Sequence, residues 1–172
     1  VVENTRAKLR AQEESLSKLQ TLLAESQRRE RTKTPVVQYY QGKQQVEQML
    51  YTLQPEWRKS YTRIGSHVMW GYQDHTFVEQ YRRWHDHAWK TRQPNEQIKL
   101  SSNSEGVKQQ KQERINNREI RALPKGIHFS SSIWIHGEYI ILAMTREKPH
   151  YAVSLFDPIF SANLRAVFQM LW

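Results

Sequence analysis

The sequence predicts an α/β (α+β) fold, a mixed β-sheet flanked by helices and preceded by a long N-terminal coiled-coil helix. Three observations carry this. Residues 1–31 contain no Gly or Pro, are dominated by Ala, Leu, Glu, Gln, Lys and Arg, and place apolar residues seven apart. From Val36 onward, β-branched and aromatic runs alternate with stretches of helical spacing. Near the C-terminus, SIWI and YIILAM flank His136-Gly137-Glu138, the pattern of a tight β-hairpin. Strand–helix units followed by a meander imply a mixed sheet with helices on its faces. Residues 1–33 are expected to be a helical, coiled-coil linker for dimerisation and residues 34–172 an α/β domain.

In the N-terminal helix, Val2, Leu9, Leu16 and Leu23 with Leu19 and Leu22 form a narrow apolar stripe suited to a partner helix. The second seam position is poor, with Thr5, Gln12 and Ser26 beside Leu19. Thr32-Lys33-Thr34-Pro35 breaks the helix. VVQYY (Val36–Tyr40) reads as a strand, Gly42 ends a turn, and Lys43–Leu53 has helical spacing through Val46, Met49, Leu50 and Leu53. Lys59–Ile64 reads as a second strand closed by Gly65-Ser66, and Trp70 and Tyr72 fall in a loop. Asp74 is the expected N-cap of a helix whose face carries Phe77, Val78, Tyr81, Trp84, His85, Ala88 and Trp89. Gln97–Leu100 is a short strand, 107–116 a polar helix and Arg118–Leu123 a strand ending at Pro124. After the hairpin, His150–Phe156 reads as a strand. Asp157-Pro158 supplies an N-cap and a first-turn proline for a last helix, whose Phe168, Leu171 and Trp172 are expected to dock on the sheet.

Composition excludes several classes. There is no cysteine, so disulfides and thiolate metal sites are ruled out, which fits a reducing cytoplasm. No apolar run approaches the roughly 20 residues of a membrane helix and no signal peptide is visible, so a cytoplasmic protein with no membrane partner is expected. The chain begins at Val1 rather than Met, as a piece of a longer protein would. The net charge of +9 is scattered in small groups among Gln and Glu rather than gathered on a reading element, so no direct sequence-specific nucleic-acid binding by this chain is expected.

Several segments carry a family resemblance. PVVQYYQGKQQVEQML resembles the opening of the effector domain of TrmB-like transcription regulators. FVEQYRRWHDHAWKTR, the strand around Ile98 and REIRALP are similar to its central helix and next strands. SIWIHGEYIILAM resembles its hairpin, with Gly137-Glu138 where Gly-Asp is more usual, and SANLRAVFQMLW its terminal helix. The resemblance spans residues 35–172 and rests on the order of these pieces. It implies a fold related to half of the phospholipase-D architecture and an N-terminal winged helix-turn-helix, absent from this chain, joined through a coiled coil. Sugar-responsive members carry a further β-rich ligand domain, whereas this sequence ends at Trp172.

Catalytic chemistry finds little support. A phospholipase-D-like enzyme needs a His with a Lys two residues later, and none of the seven histidines has one; His136 is followed by Gly137-Glu138. His85 and His87, two apart on a helix, diverge by about 200° and cannot share an ion, so no metal site is expected. No nucleophile elbow or Gly-rich phosphate loop occurs, and no cofactor is expected. Trp84 and Trp89 fit a core-packing role. Because ligands of open α/β sheets bind beyond the carboxyl ends of strands, the ligand-binding candidates are Ser66, His67, Trp70, Tyr72, Ser101 and Asn103. The dimerisation candidates are Val2, Leu9, Leu16, Leu19 and Leu23.

The expected function is that of a non-enzymatic regulatory and dimerisation domain of a prokaryotic TrmB-like regulator. It would be a homodimer, take a small-molecule effector and reach DNA only through an N-terminal domain outside this chain. The alternatives are a ligand-free structural dimerisation module and a divergent phospholipase-D-like phosphodiester-processing enzyme.

Overall fold

A computed structural model describes residues 34–74, 76–102, 117–127 and 129–172. The expected coiled coil with Val2, Leu9, Leu16, Leu19 and Leu23, the expected helix 107–116 and Asn103 lie outside these residues. The chain divides into two compact units, Val1–Pro35 and Val36–Trp172, and the second is described here.

Its centre is a seven-stranded sheet in the order β1-β7-β6-β5-β2-β3-β4. The strands are β1 (Val36–Gln41), β2 (Val68–Tyr72), β3 (Gln97–Ser101), β4 (Arg118–Arg121), β5 (Ser132–His136), β6 (Tyr139–Met144) and β7 (Tyr151–Phe156). β2, β3 and β4 run parallel, and the remaining pairs are antiparallel. The helices are α1 (Lys43–Ile64), α2 (Thr76–Gln80), α3 (Arg82–Lys90) and α4 (Pro158–Leu171). The mixed sheet flanked by helices is the expected class. Among the described residues no helix is long and apolar enough to cross a membrane.

The hairpin falls where the sequence placed it. Ile135 pairs with Ile140 and His136 with Tyr139 around Gly137-Glu138. Gly137 has φ +61°, and a Cβ there would stand 2.4 Å from Ser60 Oγ, so both the turn and the approach of α1 require glycine. The turn is pinned from two sides. The Glu138 amide donates to Ser60 Oγ at 2.7 Å, Arg63 pairs with the Glu138 carboxylate at 2.6 Å, and Arg165 of α4 donates to the Gly137 carbonyl at 2.9 Å.

Four expectations are corrected. Lys59–Ile64 is not a strand but the last turns of the 22-residue α1, which passes through Pro55. The β-forming character of Tyr61, Thr62 and Ile64 is overridden because Val46, Leu50, Trp57 and Tyr61 keep one helical face buried. Pro55 removes one helical hydrogen bond, but it and Tyr51, four residues earlier, both lie on the exposed side where water can replace the partner. Gly65, with φ +65°, ends the helix as a left-handed cap rather than ending a strand.

Trp70 and Tyr72 are in strand β2, not a loop. Gly71 between them discourages a strand reading, yet it is where β5 comes closest: a Cβ would lie 2.0 Å from the Ile133 carbonyl oxygen. The helix after Asp74 is two helices, broken at Tyr81, whose ring is buried and whose hydroxyl meets His150 Nδ1 at 2.9 Å. Asp74 accepts from the Thr76 amide at 3.5 Å and the Thr76 hydroxyl at 2.8 Å, and also pairs with Arg146 at 2.9 Å. The Arg146 and Thr76 donors hold its carboxyl below the usual carboxylate range against the opposing effect of burial.

The last correction concerns α4. Asp157 caps it by accepting from the amides of Ile159 and Phe160, each at 2.9 Å, with Pro158 in the first turn. Trp172 packs edge-on against Trp70 at 5.5 Å, and Phe168 lies 6.4 Å from Tyr72. Leu171, expected to dock, is 77% exposed, as are Ile159 and Met170 at 75% and 79%. The end of α4 turns one edge, not its whole apolar load, to the sheet.

The core lies on the opposite face. Trp134, Ile141, Ala143, Ala152, Met69 and Leu100 of the sheet meet Val46, Met49, Leu50, Trp57 and Tyr61 of α1 and Phe77, Tyr81 and Trp84 of α2–α3.

Candidate functional site

Between α1, α3 and the β2–β3–β5 face lies a cavity of about 100 Å³. Helix α1 contributes Gln54, Trp57, Arg58 and Tyr61; Phe77 and Trp84 come from α2 and α3; Trp134 and His136 project from β5. Trp57 and Tyr61 are four apart and so share the face of α1 that meets the sheet, while Trp134 and His136 are two apart and share a face of β5. Both pairs thus point into the same layer by the simple periods of their elements.

The wall is aromatic. His136 stacks on Trp57 with ring centroids 4.1 Å apart and 8° between planes. Trp57 and Trp84 meet edge-on at 6.4 Å, and Phe77 meets Trp134 edge-on at 4.4 Å. Such edge-to-face contacts suit the ring quadrupoles.

Its polar chemistry is one-sided. The indole nitrogens of Trp57, Trp84 and Trp134 and Nε2 of His136 are buried without a hydrogen-bond partner. An indole N–H can only donate. His136 Nδ1 is engaged by the Tyr61 hydroxyl at 2.7 Å. Burial drives the His136 pKa down to about 3, so the ring is neutral, and pushes the Tyr61 hydroxyl far above its ordinary value, so it keeps its proton. The tautomer of His136 sets which of the two donates in this hydrogen bond.

Toward the rim the lining becomes charged. Arg58 pairs with Glu96 at 2.8 Å, and Arg92 and Arg118 lie 4.9 and 5.5 Å from the Trp89 ring. The Trp89 indole donates to His85 Nε2 at 2.8 Å. Burial first, then the charge of Arg118, lowers His85 to about 4. Three arginines and one carboxylate line the cavity. On α3 His85 is half-buried and His87 exposed; among the described residues no group of side chains could hold a metal ion. Trp84 packs in the core as expected, whereas Trp89 is half-buried outside it, and both line the cavity.

Among the described residues, none of the sequence-derived ligand candidates Ser66, His67, Trp70, Tyr72 and Ser101 lines this cavity. Ser66 and His67 follow a helix and precede β2, so they sit at its amino end rather than beyond a carboxyl end; the Ser66 amide donates to the Tyr61 carbonyl at 3.2 Å. Trp70, Tyr72 and Ser101 gather on the α4 face. There Tyr72 stacks on Phe129 at 3.8 Å and pairs with Ser101 across the strands, while Lys99 lies 5.2 Å over the Trp70 ring. The residues missed were Trp57, Tyr61, Trp134 and His136. The period-two spacing of Trp134 and His136 was a usable signal. That of Trp57 and Tyr61 was hidden by reading Lys59–Ile64 as a strand.

No protein-family model and no curated protein matches the sequence. Among solved structures, the chain is similar to TrmBL2, an archaeal chromatin protein whose structure shows a novel mode of DNA binding, with 16% identity, 99% of this chain covered and a TM-score of 0.45. The chain spans 63% of that protein's length. It is also similar to NucT from Helicobacter pylori, with 8% identity, 80% of this chain and 95% of that one covered, and a TM-score of 0.42.

Proposed function

We propose that this chain is the non-catalytic regulatory domain of a TrmB-like transcription regulator. In this reading the chain works as a cytoplasmic homodimer held through residues 1–33, receives a small effector in the aromatic cavity, and passes its state to a DNA-binding head outside this sequence. The observation that carries the sensing role is the cavity of about 100 Å³ walled by Trp57, Trp84 and Trp134 and lined also by Arg58, Arg92 and Arg118. A concave site walled by aromatic side chains with a few polar groups is the usual form of a small-molecule pocket. The family reading rests on the order of the motifs over residues 35–172, and dimerisation on the Val2, Leu9, Leu16 and Leu23 stripe. The regulatory step requires that the effector bind one dimer geometry better than another.

The reading without catalysis is supported at His136. Two residues on, where a phosphodiesterase of the phospholipase-D type needs Lys, stands Glu138, tied to Arg63 and Ser60. The carboxylate would repel a phosphate there.

The test uses the longer protein with its head. It is expected to bind a specific duplex, and Ala88→Phe, which fills the cavity, is expected to change that affinity at least threefold. The chain of 172 residues alone is expected to bind DNA only in a salt-sensitive, sequence-blind manner. Salt-resistant preference of this chain for one duplex, or hydrolysis of bis(p-nitrophenyl) phosphate lost in His136→Gln, would overturn the proposal.

A further inference from the structure

The face of the sheet that carries α4 is only half covered. We propose that a second copy of the chain covers the rest, an inference that rests on the homodimer proposed above. The open strands β1, β6 and β7 and the outward side of α4 form one interface, related to its copy by a twofold axis.

Residues paired across antiparallel strands share a face, and the register marks where the cover stops. Val37 pairs with Leu155, Leu155 with Ile140, Ile140 with Ile135 and Ile135 with Trp70. Trp70 is the residue against which Trp172, at the end of α4, packs. Along this row Trp70 and Ile135 are 6% and 0% exposed, whereas Val37 is 67% exposed. In the next row Tyr39 pairs with Val153 and Val153 with Leu142, and both Tyr39 and Leu142 are exposed. Helix α4 thus covers the middle of the sheet and leaves the β1–β7 side open. On the helix itself Ile159, Phe160, Val167, Met170 and Leu171 are exposed, and at 3.6 residues per turn they fall within an arc of about 120°.

Charge, area and shape select the occupant. In a chain of 25% charged residues and net charge +9, strands β1, β6 and β7 carry no charged residue, and α4 carries only Arg165, which donates to the Gly137 carbonyl. Edge strands are commonly guarded by a charge or a proline; VVQYYQ has neither. A partner chosen by charge has nothing to hold on this face, whereas two copies of so basic a chain meet here without like charges opposed. Taking about 150–250 Å² for a whole large side chain, the exposed residues named on the strands and on α4 present on the order of 800 Å². That exceeds the roughly 300–600 Å² of a typical monomer's largest apolar patch and is about what each partner of a stable complex buries. An apolar helix beside open apolar strands is also self-complementary, since a twofold axis lays the helix of each copy over the open strands of the other. Residues 1–33 lead into β1, and joining two chains through them brings the second face to an effective concentration of about millimolar. The face therefore closes at an affinity that leaves the domain without residues 1–31 a monomer at micromolar concentration. Because it lies outside the core of the fold, changes on it loosen the pairing and not the fold.

The experiment uses the full 172-residue chain, which has no cysteine of its own. Gln169→Cys, on the exposed side of α4, carries a nitroxide spin label, and pulsed dipolar spectroscopy is expected to give one narrow distance between the two copies. Val37→Glu combined with Met170→Glu places charge on both halves of the face at exposed positions. This variant is expected to keep its circular dichroism and its dimeric mass while the narrow distance is lost to a broad distribution. A broad distribution in the dimer without these charges, or a narrow one that survives them, would overturn the proposal and leave the dimer through residues 1–33 standing. A charged variant that turns monomeric would keep this face and remove residues 1–33 as the holding segment. A chain that is monomeric and gives no distance would overturn both; should Met170 then resist oxidation by hydrogen peroxide, the cover is residues 1–33 of the same chain.

Discussion

The imidazole of His136 lies flat against the indole of Trp57, with centroids 4.1 Å apart and 8° between the planes. One ring comes from the middle of a helix and the other from the last residue of a strand just before its hairpin turn. The stack therefore joins helix α1 to the sheet at the point where Ser60 and Arg63, one helical turn further on, hold Glu138.

The protein is expected to lose stability in mild acid. His136 and His85 have folded values of about 3 and about 4, below the ordinary 6.5. The neutral rings are the ones that fold, so their contribution is full above pH 6.5 and is lost as pH falls from there, to about 4 for His85 and about 3 for His136. One pH unit corresponds to about 1.4 kcal/mol for each proton taken up on unfolding. Urea midpoints measured at pH 7.5, 6 and 5 should therefore fall steadily, and less steeply in His136→Gln. A flat profile would show that His136 is hydrated in solution.

Tyr61→Phe removes the partner of His136 Nδ1 while keeping the ring. A loss of about 1–3 kcal/mol is expected, the cost of an unsatisfied buried group. In a His136→Phe background the same change should cost markedly less. Equal costs in both backgrounds, by denaturant melts, would mean that the hydroxyl acts through something other than His136.

Gly137→Ala should destabilise by about 1–3 kcal/mol. The turn needs a positive φ, and the new Cβ would overlap Ser60 Oγ. Pairing it with Ser60→Gly relieves the overlap and not the backbone, so the difference in melting temperature between the single and double variants separates the two costs.

At the C-terminus the exposed and packed residues are expected to part company. Leu171→Ser and Met170→Ser, at 77% and 79% exposure, should leave stability within about 0.5 kcal/mol. Trp172→Ala gives up the edge contact with Trp70 and the cation–π contact with Arg121 at 4.4 Å, and should cost about 1–3 kcal/mol. The reverse order in a thermal melt would place Leu171, not Trp172, against the sheet.

Light scattering of the chain at micromolar concentration is expected to give about twice the chain mass, and removal of residues 1–31 to give a monomer. A monomeric full chain would end the dimerisation proposal.

Local chemistry determined much of this domain. Asp157-Pro158 starts α4 because an acceptor and a missing donor suit the unsatisfied amides of a first turn, and the two-residue hairpin follows from a glycine between apolar alternating runs. These are decided within a few residues, so the sequence alone displays them. The end of α1 was decided otherwise: Tyr61, Thr62 and Ile64 favour a strand by themselves, and only the sheet beneath, burying Trp57, Ser60 and Tyr61 on one side, makes the helix the better solution. Trp70 and Tyr72 likewise became strand residues because the Ile133 carbonyl comes close to the bare Gly71. The cavity is wholly a product of that tertiary choice. Trp57 and His136 are far apart in sequence, and each reads singly as a core residue; their unpartnered nitrogens exist only because the layers that bring them together supply rings but no acceptors.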